Sequence, residues 1–172
     1  MMGAGKTAVG TEVARLLGRP YTDSDDEIER AANMTITEIF ARDGEEFFRA
    51  RESEVLARIL AGPPGIVSTG GGAWIRPENR RIIRAGGVSV WIDADLETLW
   101  NRVRLRATRP LLMTPNPHET LAAMVDQRRP VYAKADLRLL TSDRDTVDGT
   151  ARRMIEMLAA NGFLTKGEGN AR

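Results

Sequence analysis

The stretch Gly3-Ala4-Gly5-Lys6-Thr7 constrains the fold of this chain more than any other. Gly5-Lys6-Thr7 is the closing half of the phosphate-loop signature G-x-x-x-x-G-K-[ST]. Its glycines let backbone N–H groups curl around a phosphate at a helix N-terminus, where the helix dipole also favours an anion. Lys6 then reaches the β- and γ-phosphates as a point charge, and the Thr7 hydroxyl is placed for Mg²⁺. The helix that this motif needs does follow: Val9, Val13, Leu16 and Leu17 share one face, and Gly18 with Pro20 ends the run. The first glycine of the full signature would fall one position before Met1, and no strand precedes the loop. The expectation is therefore that Met1 is not the natural start. An apolar, β-branched run of about five or six residues ending in Gly is expected upstream.

With 172 residues the chain is long enough for one α/β domain with a sizeable core. Its 25 basic and 24 acidic residues leave a net charge of +1, which speaks against a general nucleic-acid or membrane surface. There is no cysteine, so disulfides and thiolate metal sites are excluded, and the single histidine, His118, excludes a histidine-cluster metal site. His118 reads as a surface residue near a helix start. No apolar run is long enough to span a bilayer and no signal peptide is present, so a cytoplasmic protein is expected.

Along the chain, Tyr21-Thr22-Asp23 reads as a short strand leading into Ser24-Asp25-Asp26. Asp23 and Asp25 would lie on the rim where ligands bind in open α/β sheets. One could serve the Mg²⁺ shell while the other meets a substrate hydroxyl; alternatively Asp25 or Asp26 simply caps the next helix. Thr35-Ile36-Thr37-Glu38 is a capping box, with Ile39 and Phe40 as the apolar side, and Asp43-Gly44 breaks that helix. A longer helix from about 45 to 60 buries Phe48, Val55, Leu56, Ile59 and Leu60. Arg49 and Glu52, one turn apart on it, are either an exposed pair of about 0.2–0.5 kcal/mol or a rigid grip on a substrate carboxylate.

Ile66-Val67-Ser68-Thr69 reads as a strand ending in Gly70-Gly71-Gly72, where glycines make sense if a ligand approaches the backbone closely. Pro77 opens a helix to Ala85, Val88 to Ile92 is a strand, and Asp95 caps the helix of Leu96, Leu99 and Val103. Arg102, Arg104, Arg106 and Arg109 then precede Pro110-Leu111-Leu112 and Pro115-Asn116-Pro117. A phosphate-closing lid at about 104–118 accounts for these arginines and prolines together, and a solvated charge run is the plainer alternative. A helix from about Glu119, a strand Leu137-Arg138-Leu139-Leu140 and a final helix from Thr146 to Ala160, with Val147, Ile155 and Leu158 inward, complete the reading. The tail at about 162–172 is expected to fray. No linker divides the chain, so one domain over 1–172 is expected.

With these pieces in place the chain resembles the shikimate kinases, small P-loop kinases of the nucleoside-monophosphate-kinase type. Met2-Gly3-Ala4-Gly5-Lys6-Thr7 is similar to the family's G-x-M-G-x-G-K-[ST], and Asp23-Ser24-Asp25 to its D-[ST]-D. Gly44-Glu45, Phe48-Arg49 and Glu52 match G-E-x-x-F-R-x-x-E. Ser68-Thr69-Gly70-Gly71-Gly72, Arg109-Pro110-Leu111-Leu112 and Arg128-x-Pro130-x-Tyr132 follow in family order, with Val131 in place of a leucine.

The resemblance implies a three-layer α/β fold, its parallel sheet in the order 2-3-1-4-5 with the first strand absent here. It implies transfer of the γ-phosphoryl group of ATP to the 3-hydroxyl of shikimate by a monomer, with Mg²⁺ as cofactor. Lys6, Asp25 and Arg109 would be catalytic. Gly3, Ala4, Gly5, Lys6, Thr7, Ala8, Arg102, Arg109 and Arg144 would bind ATP, although the Asn-Pro pair many members carry after the last arginine is missing. Asp25, Arg49, Gly71, Gly72 and Arg128 would bind shikimate, the two arginines facing its carboxylate. Thr7 would hold the metal directly and Asp23 through water. The rivals are another small-molecule kinase on this scaffold, such as a gluconate kinase, and a non-catalytic nucleotide-binding module. A gluconate kinase accounts neither for two arginines directed at a carboxylate nor for the triple glycine.

Overall fold

The computed structural model of the chain describes residues 1–104, 112 and 114–164. Four parallel strands and seven α-helices alternate along them. Helix α1 (Lys6–Leu17) leads to β1 (Tyr21–Asp23), α2 (Ser24–Ala32) and α3 (Ile36–Leu60). Strand β2 (Ile66–Ser68) runs into a 3₁₀ turn, Ala73–Ile75, and α4 (Pro77–Gly86). Strand β3 (Val90–Ala94), α5 (Leu96–Val103), α6 (Pro117–Tyr132), β4 (Leu137–Thr141) and α7 (Val147–Ala160) follow.

The strands form two parallel pairs, β1 with β2 and β3 with β4. Tyr21 stands opposite Ile66, and Val90 opposite Leu137. An order of 2-3-1-4-5 without its first member leaves exactly these two neighbours-pairs. Between them lies a largely apolar cavity of about 530 Å³, faced by Ile66 and Val67 on one side and Val90 and Ile92 on the other. Helix α1 packs on β1, β2 and α7, while α3 packs on both α2 and α4. Val13, Leu99 and Leu121 are almost fully buried in the main core. Each contributes about 1.5–3 kcal/mol by leaving water. A second cluster of Ile28, Ile39, Phe48 and Val55 ties α2 to α3.

Local signals place most boundaries. The Thr35–Glu38 capping box is formed in both directions. Asp95 accepts from the Thr98 amide, and Thr146 from that of Gly149. Gly44, at φ 81° and ψ 175°, divides the long α3 span into two helices as expected. Three expectations are corrected. Asp23, not Asp25 or Asp26, caps α2, its Oδ1 accepting from the Asp25 amide at 3.0 Å. Val147 is 45 % exposed rather than inward, because it occupies the first turn of α7 where no element covers it. Phe40 is likewise partly exposed, with only one face against Phe48 at 4.7 Å between ring centroids.

Candidate active site

The site begins where the chain turns into α1. Gly5, the residue before the helix, has φ 86°, and Gly3 has φ 74°, both in the left-handed region that side chains disfavour. A Cβ on Gly3 would also stand 2.8 Å from Val103 Cγ1, so the loop can lie against α5 only as glycine. No acidic residue occupies the first turn of α1, where Thr7 and Ala8 are exposed. That leaves its N-terminal amides suited to an anion. Lys6 folds back over the loop, its Nζ donating to the Met1 carbonyl at 3.0 Å.

Beside the loop, Tyr21, Asp23 and Ser68 bring β1 and β2 to the same rim. The Tyr21 hydroxyl donates to Asp23 Oδ2 at 3.3 Å and also interacts with Thr7 and Ser68. Thr7 and Asp23 are thus joined through one phenol. A hydroxyl and a carboxylate are hard oxygen donors of the kind Mg²⁺ takes. Asp23 is engaged by the α2 amide and by Tyr21, an arrangement that suits contact with a metal through water.

The glycine turn after β2 is the centre of the site: Gly70 and Gly72 each make room for a charged side chain, and Gly71 lies in ordinary contact with a third. A Cβ on Gly70 would stand 2.7 Å from Asp25 Oδ1. One on Gly72 would stand 2.8 Å from both terminal nitrogens of Arg49, and one on Gly71 3.7 Å from a terminal nitrogen of Arg128. None of the three has positive φ. Gly70 and Gly72 are needed for space rather than for backbone conformation. The close approach expected of a ligand is made first by the protein's own side chains.

Burial pushes the Asp25 carboxyl up to about 6, with Asp23 and Glu52 adding to the rise and Lys6 opposing it. A carboxyl so placed is a better proton acceptor than an ordinary aspartate, yet is ionised at neutral pH. Arg49 is gripped by Glu52, its NH1 donating to both carboxylate oxygens at 3.0 and 3.1 Å. Glu52 is 1 % exposed, so this is a desolvated pair and not the weak surface pair of the plainer reading. Burial raises the Glu52 carboxyl, and Arg49 is the largest influence in the other direction. The Arg49 guanidinium also lies 5.1 Å over the Phe48 ring.

Arg128 comes from the end of α6. That helix is tied to the glycine turn by Tyr132, whose hydroxyl donates to the Gly71 carbonyl at 2.6 Å. Trp74 Nε1 donates to the Val131 carbonyl at 3.0 Å. On its far side, Arg129 reaches the buried Asp93 at 3.1 Å. Asp25, Arg49, Arg128, Gly71 and Gly72 are therefore brought together.

The predicted nucleotide arginines lie on the other side of the phosphate loop. Arg102 NH2 donates to the Ser142 carbonyl at 2.8 Å, and its NH1 to the Gly3 carbonyl at 3.4 Å. Arg102 thereby bridges the loop to the turn after β4, and Arg144 stands exposed in that turn. Arg109 lies outside the described residues, as does most of the expected lid. His118 is at the second position of α6, exposed, with Nε2 3.0 Å from Glu97.

One residue without a role in the sequence reading also matters. Asn79 is fully buried, with Nδ2 donating to Glu52 Oε2 at 3.4 Å and to the Ala73 carbonyl at 3.1 Å. Its Oδ1 accepts from Ser53 Oγ at 2.6 Å. A polar residue four positions before the buried Ile83, on the covered face of α4, was the available signal.

A helix-capped phosphate loop, parallel strands and charged groups gathered at the strand ends define a P-loop phosphotransferase. A family model for shikimate kinase matches residues 2–159. The chain is 63% identical over 159 residues to the shikimate kinase of Cereibacter sphaeroides, covering 92% of this chain and 79% of that protein. It is 55% identical to that of Ruegeria pomeroyi, covering 92% and 82%. Among solved structures, the Acinetobacter baumannii shikimate kinase in complex with shikimate superimposes with a TM-score of 0.86 at 35% identity, covering 95% of this chain and 91% of that one. The chain belongs to the shikimate kinase family.

Proposed function

We propose that the chain phosphorylates shikimate on its 3-hydroxyl, with Asp25 as proton acceptor and Arg49 and Arg128 as the carboxylate clamp. The observation that carries this is the glycine turn, where one raised carboxyl and two guanidinium groups stand against three successive residues. The Acinetobacter baumannii relative binds shikimate, and the same groups suit its carboxylate and hydroxyls.

In this reading the amides of Gly3, Ala4, Gly5, Lys6, Thr7 and Ala8 hold the ATP phosphates, and Arg102 and Arg144 flank the adenine. Arg49 and Arg128 fix the ring by its carboxylate, and the backbone of Gly71 and Gly72 lines its edge. Asp25 accepts the 3-hydroxyl proton as that oxygen bonds to the γ-phosphorus. The bond from the γ-phosphorus to the bridging oxygen breaks, and ADP leaves. Lys6 and Arg109 offset negative charge on the phosphoryl oxygens, which is most of what such a transfer requires. Thr7 and, through water, Asp23 would hold Mg²⁺, which supplies further charge neutralisation when bound. Residues 1–172 act as one kinase domain, a cytoplasmic monomer whose segment 104–118 closes over the phosphates and excludes water. ADP release measured in parallel with shikimate and with gluconate tests the assignment. Equal turnover of both would refute it.

A further inference from the structure

Asn79 touches none of the groups assigned to the reaction, yet among the described residues it alone bonds both to the support of Arg49 and to the residue directly after the glycine turn. Its Nδ2 donates to Glu52 Oε2 at 3.4 Å and to the Ala73 carbonyl at 3.1 Å, directly after Gly72. Its Oδ1 is held by Ser53 Oγ at 2.6 Å, one residue beyond Glu52 on α3. The amide is therefore fixed in orientation from α3 and donates toward two different elements. Its three partners are satisfied only when α3, α4 and the turn are in register.

Register matters here because the free space is small. The Arg49 guanidinium occupies the space beside Gly72 that a Cβ there would need, with both terminal nitrogens 2.8 Å from that position. Glu52, buried, and Glu45, exposed and accepting from Nε and NH2 at 3.3 Å, hold the guanidinium, and Asn79 ties the buried member of the two to the turn. We infer that Asn79 is a positioning residue for substrate. Through Glu52 it holds the Arg49 fork against Gly72, at the angle needed to receive a carboxylate. This inference rests on the shikimate reading above and extends it to a residue that does not touch the ligand.

The groups facing Glu52 are Arg49 from its own helix, Arg76 from the segment before α4, Asn79 from α4 and Asp25 from α2. Losing the Asn79 donor leaves a buried carboxylate with one bond fewer and Arg49 free to follow it. A hydrogen bond to a charged group corresponds to about ten- to a hundredfold in an equilibrium constant. The effect should fall on shikimate KM, since ATP binds on the other side of the phosphate loop. Asn79→Leu keeps the branched four-atom outline of the side chain and removes all three bonds. Asn79→Asp keeps the acceptor for Ser53, while its new carboxyl must share a proton with Glu52 to replace the lost donor.

The experiment measures kcat, KM for both substrates and Tm for wild type and both variants from pH 6 to 8.5. Asn79→Leu is expected to raise shikimate KM at least about tenfold, with ATP KM and kcat within about twofold. For Asn79→Asp, shikimate KM relative to wild type should be smallest at the acid end and rise with pH as the shared proton is lost. Should Asn79→Leu fail to fold, the pH dependence of Asn79→Asp decides alone. Shikimate KM unchanged in the variants, or both KM values and kcat moving together with Tm at every pH, overturns the positioning role. A wild-type chain that does not turn over shikimate overturns the functional reading and this inference with it.

Discussion

Replacing each glycine of the turn by alanine, one at a time, separates the functions that meet there. At Gly70 the added Cβ would stand 2.7 Å from Asp25 Oδ1, at Gly72 2.8 Å from both Arg49 terminal nitrogens, and at Gly71 no nearer than 3.6 Å to any atom outside its chain neighbours. Ordinary contact begins near 3.4 Å, so Asp25 must retreat by about 0.7 Å and Arg49 by about 0.6 Å, whereas nothing need move at Gly71. The displaced atoms are ends of flexible side chains, and none of the three glycines has positive φ. Stability should therefore stay within about 1 kcal/mol of wild type.

Activity should not stay so close. A misplacement of about 1 Å costs on the order of 10²-fold in rate. Gly70→Ala is accordingly expected to lower kcat by about tenfold or more with little change in shikimate KM. Gly72→Ala is expected to raise shikimate KM by a similar factor. Gly71→Ala adds a methyl beside the substrate only and should be the mildest. Steady-state kinetics with both substrates varied, alongside thermal melts, provide the readout. Equal effects from all three variants, or a kcat loss confined to Gly71→Ala, would refute the assignment of Gly70 to Asp25 and of Gly72 to Arg49.

The other predictions follow from single side chains. Arg49→Lys loses a planar two-point donor and should raise shikimate KM by about tenfold while leaving the ATP Kd unchanged, as measured by initial rates and calorimetry. Arg109→Ala should depress kcat by about 10³–10⁵ in the manner of an arginine finger; a change confined to KM would make Arg109 a binding residue only. Because Asp25 must be ionised to accept a proton, the rate should fall about tenfold per pH unit below its apparent value near 6. The same group makes a stability prediction. Its folded value lies above the unfolded one, so the folded state holds the proton more tightly and stability falls as pH rises from about 4 to 6. Asp25→Asn should therefore abolish turnover yet raise Tm at pH 8, by the equivalent of about 1–3 kcal/mol. A lower Tm would contradict the burial of the charged form.

What could be read from the sequence was what depends on neighbours within one helical turn. The Gly5-Lys6-Thr7 loop, the Thr35–Glu38 box, the Asp95 cap and the break at Gly44 are each decided by amides and side chains three or four positions apart. The order of the longer motifs likewise identified the family.

Tertiary structure decided how those residues work. Whether Arg49 and Glu52 form a weak surface pair or a buried clamp turns on the packing of α3 against α4 and the turn after β2, which leaves Glu52 1 % exposed with Asn79, 27 positions beyond it, donating to the carboxylate. The reason for Gly70 and Gly72 emerged only once α2 and α3 each delivered a side chain to the turn. Val147, apolar and in phase, is exposed because no element covers it. Caps are short-range contacts between residues close in sequence. Desolvation and close approach depend on which distant surfaces meet.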